Sequence, residues 1–184
     1  MKYKAGSTAP SFEVEDASGK VWKIPEGLEG RRLALVFLRH LGCPLCLRKV
    51  DELNADAARF DALNASIMVI VQGTGARVKS FSSKKNLKIS LVADKEKKIY
   101  GMWGVERGGI GAFLAPKVLK ESAKATLKGY MHGKFEGDEL QKPADFIIAP
   151  DGKIEWAHYG RNVSDSTENE ILIKELDRIA KSSK

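Results

Sequence analysis

Two stretches of the chain are apolar at nearly every position: LALVFL at Leu33–Leu38 and SIMVIV at Ser66–Val71. A strand packed on one side alternates, so an unbroken run predicts a central strand covered on both faces. Between the runs, Cys46, Val50, Leu53, Ala57 and Phe60 recur at steps of four, three, four and three. That spacing lines them up on one stripe of a single long helix. Pro44 suits its first turn, where a missing N–H costs nothing. The polar residues Arg48, Lys49, Asp51, Glu52, Asn54 and Asp56 fall largely off the stripe and are expected on the solvent side. Strand, helix and strand in this order predict a parallel βαβ unit.

The rest of the chain gives shorter signals. Phe12–Ile24 reads as two short strands around an Asp-Ala-Ser-Gly turn. Ala76–Lys85 predicts a helix on the opposite face, Ile89–Asp94 a third strand, and Lys97–Val105 a short helix and turn. Asp145–His158 is the clearest hairpin, two strands around Pro-Asp-Gly. Thr167–Ala180 predicts a closing helix, with a Thr167-x-x-Glu170 capping box and an inward row of Leu172, Leu176 and Ile179. Gly108–Leu140 is the least regular part, glycine-rich at first and then helical from Phe113 to about Leu127. The whole is expected to be one α/β domain over residues 1–184, with an irregular insertion around 106–140.

Composition narrows the class. The 184 residues are 43% hydrophobic and 30% charged, as in a soluble globular protein. No apolar stretch approaches the roughly 20 residues that span a bilayer. Leu33–Leu38 is too short and too far into the chain for a signal peptide, so a cytoplasmic protein without a membrane partner is expected. In that setting the Asn64 and Asn162 glycosylation patterns are chance. The net charge of +7 is densest at Lys79–Lys98. Its lysines are interleaved with Asp94 and Glu96 and lack the aromatic ladder of single-strand binders, which reads as a solvated face, with no nucleic-acid partner expected.

The candidate chemistry sits in FLRHLGCPLCLRKV, residues 37–50, which holds both cysteines of the chain. A redox pair, half of a zinc site and two unreactive core thiols are the competing readings. Zinc takes four ligands, and His40, His132 and His158 form no second close pair. Cys43 follows a buried strand and precedes the first turn of a helix, where free N–H groups and the dipole favour an anion. Cys46 heads the buried stripe. The expectation is therefore an exposed, acidic Cys43 that attacks and a covered Cys46 that resolves. Arg39, His40 and Arg48 lie near enough in sequence to add positive charge. Taken singly, Arg39 and Arg48 read more simply as surface charges and His40 as a loop histidine. Trp22, Trp103 and Trp156 read as packing, and His158 as structural. Gly108-Gly109-Ile110-Gly111 does not complete a dinucleotide fingerprint, and no cofactor is expected.

The opening GSTAPSFEVEDASGKVWKI, with Gly6-x-x-Ala9-Pro10-x-Phe12, the Cys43-Pro44-Leu45-Cys46 motif after a strand, and LQKPADFIIAPDGKIEWAHYGR around Pro143–Gly152 carry a resemblance over nearly the whole chain. Together they resemble the peroxiredoxin-like branch of the alkyl hydroperoxide reductase/thiol-specific antioxidant (AhpC/TSA) family. The resemblance implies a thioredoxin-like fold, a central mixed β-sheet flanked by helices with an N-terminal β-hairpin extension. It also implies that Cys43 is the nucleophile and Cys46 its resolving partner, and that Pro143 is cis and lies against the reactive cysteine. The implied substrates are hydroperoxides or protein disulfides, the implied reductant is a thioredoxin-type protein, and a homodimer is admissible. This chain departs from the family's Pro-x-x-x-Thr/Ser-x-x-Cys signature: His40 stands three before Cys43 and Val36 seven before it. No arginine stands just ahead of Phe146. The CPLC pair thus looks like a thioredoxin-type dithiol on a peroxiredoxin-like chain. The competing class is a non-catalytic redox-sensing or binding module.

Overall fold

A computed structural model describes residues 1–109, 111, 116–133 and 137–182. Its elements run β1 (Phe12–Glu15), β2 (Val21–Ile24), β3 (Arg32–His40), α1 (Pro44–Ala55), α2 (Ala57–Ala62), β4 (Ala65–Gln72), α3 (Gly75–Lys85), β5 (Ser90–Ala93), α4 (Lys98–Met102), α5 (Pro116–Leu127), β6 (Ala144–Ile148), β7 (Ile154–Tyr159) and α6 (Asn169–Ser182). A five-stranded sheet has the order β5-β4-β3-β6-β7, and β1 and β2 form a separate hairpin. β3, β4 and β5 are parallel, whereas β6 and β7 join antiparallel on the other side of β3. The expected mixed sheet with a hairpin extension is therefore present.

The apolar run of β3 is continuous because the strand is central and both faces are covered. Its side chains alternate between two cores. Ala34, Val36 and Leu38 face a layer that includes Val50, Leu53, Phe60, Leu172 and Leu176. Leu33, Leu35 and Phe37 face the opposite layer, with Met68, Trp103 and Phe146. Trp22 is held there too, its indole N–H donating to Asp16 Oδ2 at 2.9 Å. The three tryptophans pack as expected, and His158 Nε2 lies 3.0 Å from the Asp165 carbonyl.

Five expectations about elements need correction. Helix α3, expected on the opposite face, lies on the same side as α1, with Val78 and Phe81 in the layer of Val50 and Leu53, because successive parallel crossovers of one hand keep their helices on one face. The long helix is broken at Asp56, which ends α1 and starts α2. Its carboxylate accepts from Asn169 Nδ2 at 2.7 Å and Arg59 Nη1 at 3.1 Å, so the break is where α6 docks. The buried stripe continues across it in Val50, Leu53 and Phe60. The capping box does not form. Glu170 turns outward to Arg59, at 2.5 and 3.0 Å, and the Thr167 N–H donates to Asp145 Oδ2 at 2.8 Å. Pro143 is not cis: among the described residues the cis peptide bond is Ile24–Pro25. Lys49, expected on the solvent side, is only 6% exposed. Within the irregular segment α5 packs on α1. The expected helical start at Phe113–Ala115 lies outside the described residues. No described helix is long and apolar enough to cross a membrane.

Candidate active site

β3 ends irregularly. Its register against β4 shifts between Phe37 and His40, and such a bulge turns side chains out of the regular alternation. Tyr100, fully buried, sets its hydroxyl against the carbonyl of Leu38 and, at 3.0 Å, that of Ile70, clamping the ends of β3 and β4. The bulge leaves Arg39 and His40 pointing into the protein. Arg39 is 5% exposed and His40 0%. The readings of a surface arginine and a loop histidine are thus corrected: both belong to the interior beside the cysteines.

The chain then turns into α1 with Cys43 as N-cap and Pro44 in the first turn. A cap needs an acceptor for the free N–H groups, and the Cys43 sulfur provides it, 3.4 Å from the Cys46 N–H. Arg39 Nη2 lies 2.8 Å from the same Sγ. The charge of the same guanidinium also bears on Cys46 and favours its ionised form. One arginine therefore bears on both thiols, which are free and not joined in a disulfide.

The expected asymmetry, an exposed Cys43 above a covered Cys46, is absent. Cys43 is 0% and Cys46 4% exposed. Burial raises the pKa of both thiols. At Cys46 it is outweighed by the hydrogen bond from Cys43, the charge of Arg39 and the backbone N–H of Arg39, and the thiol falls to about 6. Cys43 is pushed well above the ordinary thiol range by burial, then by its hydrogen bond to Cys46 and the charge there. The two behave as one unit that gives up a first proton easily and holds the second.

Behind this pair stands Glu139, which the sequence reading missed. Its carboxylate lies 3.2 Å from Arg39 Nη1, 2.7 Å from His40 Nε2 and 3.3 Å from His132 Nε2. Its backbone carbonyl accepts from Arg39 Nη1 at 2.8 Å. His40 Nδ1 accepts from the Gly42 N–H at 3.1 Å, so in the neutral ring the proton is on Nε2, facing Glu139. The Gly133 N–H donates to the Gly42 carbonyl at 2.9 Å, laying this segment over the loop that holds Cys43. No sequence signal marks Glu139, since its partner Arg39 is 100 residues away.

On the other side of Cys46 the structure has a cavity of about 60 Å³, lined by Cys46, Arg39, Lys49, Pro143, Ser166 and Thr167 among others. Lys49 Nζ donates to the Thr167 carbonyl at 2.5 Å and to Asn169 Oδ1 at 2.6 Å. Burial lowers the pKa of its ammonium, against the charge of nearby Asp145, and burial raises that of the Asp145 carboxyl. Pro143, though trans, shares the cavity wall with Cys46. Arg48 pairs with Glu121 at 3.1 Å and is also among the lining residues. Among the described residues no group of three or more His, Cys, Asp and Glu side chains is placed to hold a metal ion.

The model of the AhpC/TSA family matches residues 5–157. Peroxiredoxin-like 2C of Bos taurus is 27% identical over 158 residues, 81% of this chain and 69% of that protein. Thiol-disulfide oxidoreductase ResA of Bacillus anthracis is 29% identical over 141 residues, 71% of this chain and 78% of its own. Among solved structures, peroxidoxin BcpB from Mycobacterium tuberculosis superposes with a TM-score of 0.71 at 18% identity, covering 96% of this chain and 97% of that one. At that identity the likeness speaks for the fold, which is thioredoxin-like. The family match spans the chain from before β1 into β7 and encloses the dithiol, so this chain belongs to the AhpC/TSA family and is a thiol-dependent oxidoreductase.

Proposed function

We propose that Cys43 and Cys46 are the redox pair, cycling between dithiol and disulfide to reduce hydroperoxides or protein disulfides. Arg39, His40, Pro44 and Pro143 support the pair. The observation that carries this reading is the Arg39 guanidinium, 2.8 Å from Cys43 Sγ and close enough for its charge to bear on Cys46 as well. A cation between two buried thiols keeps one of them ionised near neutral pH, and the thiolate is the reactive form. With a hydroperoxide, the thiolate attacks one oxygen as the O–O bond breaks, giving a sulfenic acid and releasing water or an alcohol; the second thiol then attacks the sulfenic sulfur, the S–S bond forms and the hydroxyl leaves as water. With a disulfide, the thiolate forms a mixed disulfide and the second thiol releases it. Both routes end in the Cys43–Cys46 disulfide, which a thioredoxin-type dithiol protein reduces.

The test is turnover with dithiothreitol and, separately, thioredoxin and its reductase, offering hydrogen peroxide, an organic hydroperoxide and insulin in turn. Mass spectrometry should find the Cys43–Cys46 disulfide after one equivalent of the accepted substrate, and Cys43→Ser and Cys46→Ser should each abolish turnover. A disulfide that forms reversibly without turnover on any of the three would make the chain a redox sensor instead.

A further inference from the structure

We propose that Glu139 is the standing counter-ion of Arg39, the anion left beside this buried guanidinium when the two cysteines join in a disulfide. It thereby favours the disulfide and makes the pair a stronger reductant; this rests on the dithiol reading above. The two redox states differ in charge. In the reduced protein a thiolate stands beside Arg39, whose Nη2 is 2.8 Å from Cys43 Sγ. A disulfide carries no charge, so oxidation removes that anion and leaves the cation in place. Arg39 is only 5% exposed, and a buried charge that loses its partner is strongly destabilising.

The geometry fits Glu139 to this role. Its Oε2 lies 3.2 Å from Arg39 Nη1, the amino group that does not face the sulfur. Its backbone carbonyl accepts from the same Nη1 at 2.8 Å. Burial works against the Arg39 charge, and the groups that offset it most are Cys46, Cys43 and Glu139. Oxidation takes the two cysteines off that list. Arg39 Nε is buried with no hydrogen-bond partner among the described residues, so the guanidinium gains nothing on that edge to replace them. The carboxylate is itself anchored, with His40 Nε2 2.7 Å and His132 Nε2 3.3 Å from Oε1. Those two rings keep Oε2 on Arg39 in either redox state.

The consequence is read in an equilibrium. When the dithiol exchanges with glutathione disulfide, the Cys43–Cys46 bond forms and the glutathione S–S bond breaks. Two electrons pass from the protein to glutathione. Two protons, from the protein thiols or from solvent where a thiolate has already released its own, end on the two glutathione thiols. Glu139 repels a thiolate and steadies Arg39 beside the disulfide, so both effects move the exchange toward the disulfide. Without its charge the reduced form gains, and a pair whose reduced form is stabilised is the stronger oxidant.

Equilibration with set ratios of reduced and oxidised glutathione at neutral pH, read by mass spectrometry after an acid quench, tests this. Glu139→Gln keeps the side-chain shape and the backbone carbonyl and removes only the charge. Its equilibrium constant should move at least about tenfold toward the dithiol, about 30 mV for this two-electron couple. A shift of less than about twofold, or one toward the disulfide, overturns the proposal. In an Arg39→Met background the same change should shift the constant less than about twofold, because no buried cation then needs a counter-ion. A full tenfold shift there overturns it, since Glu139 would not be acting through Arg39. Thermal unfolding supplies a second measurement: Glu139→Gln should lower the Tm of the disulfide form more than that of the dithiol form, and equal losses overturn the proposal. So does a reduced Glu139→Gln that fails to fold, since the thiolate would not then suffice for Arg39. If wild type forms no Cys43–Cys46 disulfide with glutathione, the dithiol reading itself fails. If the disulfide forms and the equilibrium ignores Glu139, only the counter-ion proposal fails.

Discussion

Replacing Arg39 by methionine removes the guanidinium that bears on both sulfurs and leaves two buried thiols to ionise unaided. Burial alone raises a thiol's pKa. The first ionisation of the pair, at about 6 in the native protein, should therefore rise by about one to two pH units in this variant. Titration of the 240 nm absorbance reads it directly, and an unmoved midpoint would show that Arg39 is not the source of the charge. Arg39→Lys should recover only part of the shift, because a single ammonium cannot face two sulfurs and Glu139 together. At this scale the cysteine pair was legible because its spacing and its place between strand and helix are local. Arg39 and His40 were in view but misjudged: the bulge that turns them inward depends on β4 and Tyr100, neither of which is written in residues 37–50. Glu139 was invisible, since its partners meet only after folding.

Elements were read most surely where periodicity was strong, as in β3, β4 and the Leu172–Leu176–Ile179 row of α6. The errors fall where a tertiary partner competed with a local signal. The stripe from Cys46 to Phe60 is real, yet the helix breaks because Asp56 serves Asn169 and Arg59 instead of continuing α1. Thr167-x-x-Glu170 has the form of a capping box, yet Asp145 takes the Thr167 N–H and Arg59 takes Glu170. Lys49 reads as solvent-facing until the 167–169 turn closes over it. These substitutions of partner have unequal weight. Leu176→Ala, in the core between α6 and β3, should cost about 2–5 kcal/mol. Asp56→Ala, which loses two partly exposed polar contacts, should cost about 1–3 kcal/mol. Thermal unfolding separates them, at about 2–4 °C per kcal/mol for a domain of this size. A larger loss from Asp56→Ala than from Leu176→Ala would mean that the junction, and not the apolar row, holds α6.

At the scale of the whole molecule the dithiol joins the site to folding. In the unfolded chain both thiols titrate near the ordinary value of 9.0, whereas in the folded chain one falls to about 6 and the other rises well above it. Between about pH 6 and 9 the unfolded chain binds two thiol protons and the folded chain one. Stability then increases with pH, with a slope of up to about 1.4 kcal/mol per pH unit. Above about pH 9 the order reverses: the unfolded chain has lost both protons, the folded one still keeps that of Cys43, and stability falls with a slope of similar size. The depressed Cys46 pKa thus gives stability that is lost as pH drops toward 6, and the raised Cys43 pKa withdraws it on the alkaline side. Denaturant unfolding of the reduced protein across pH 5.5–10.5, compared with a Cys43→Ser/Cys46→Ser double variant, isolates this contribution from the other titrating groups. The difference between the two should peak near pH 9. A flat difference would mean that neither sulfur is ionised in the folded protein until the unfolded chain ionises too, and the buried guanidinium would then be neutralised by Glu139 and not by the pair.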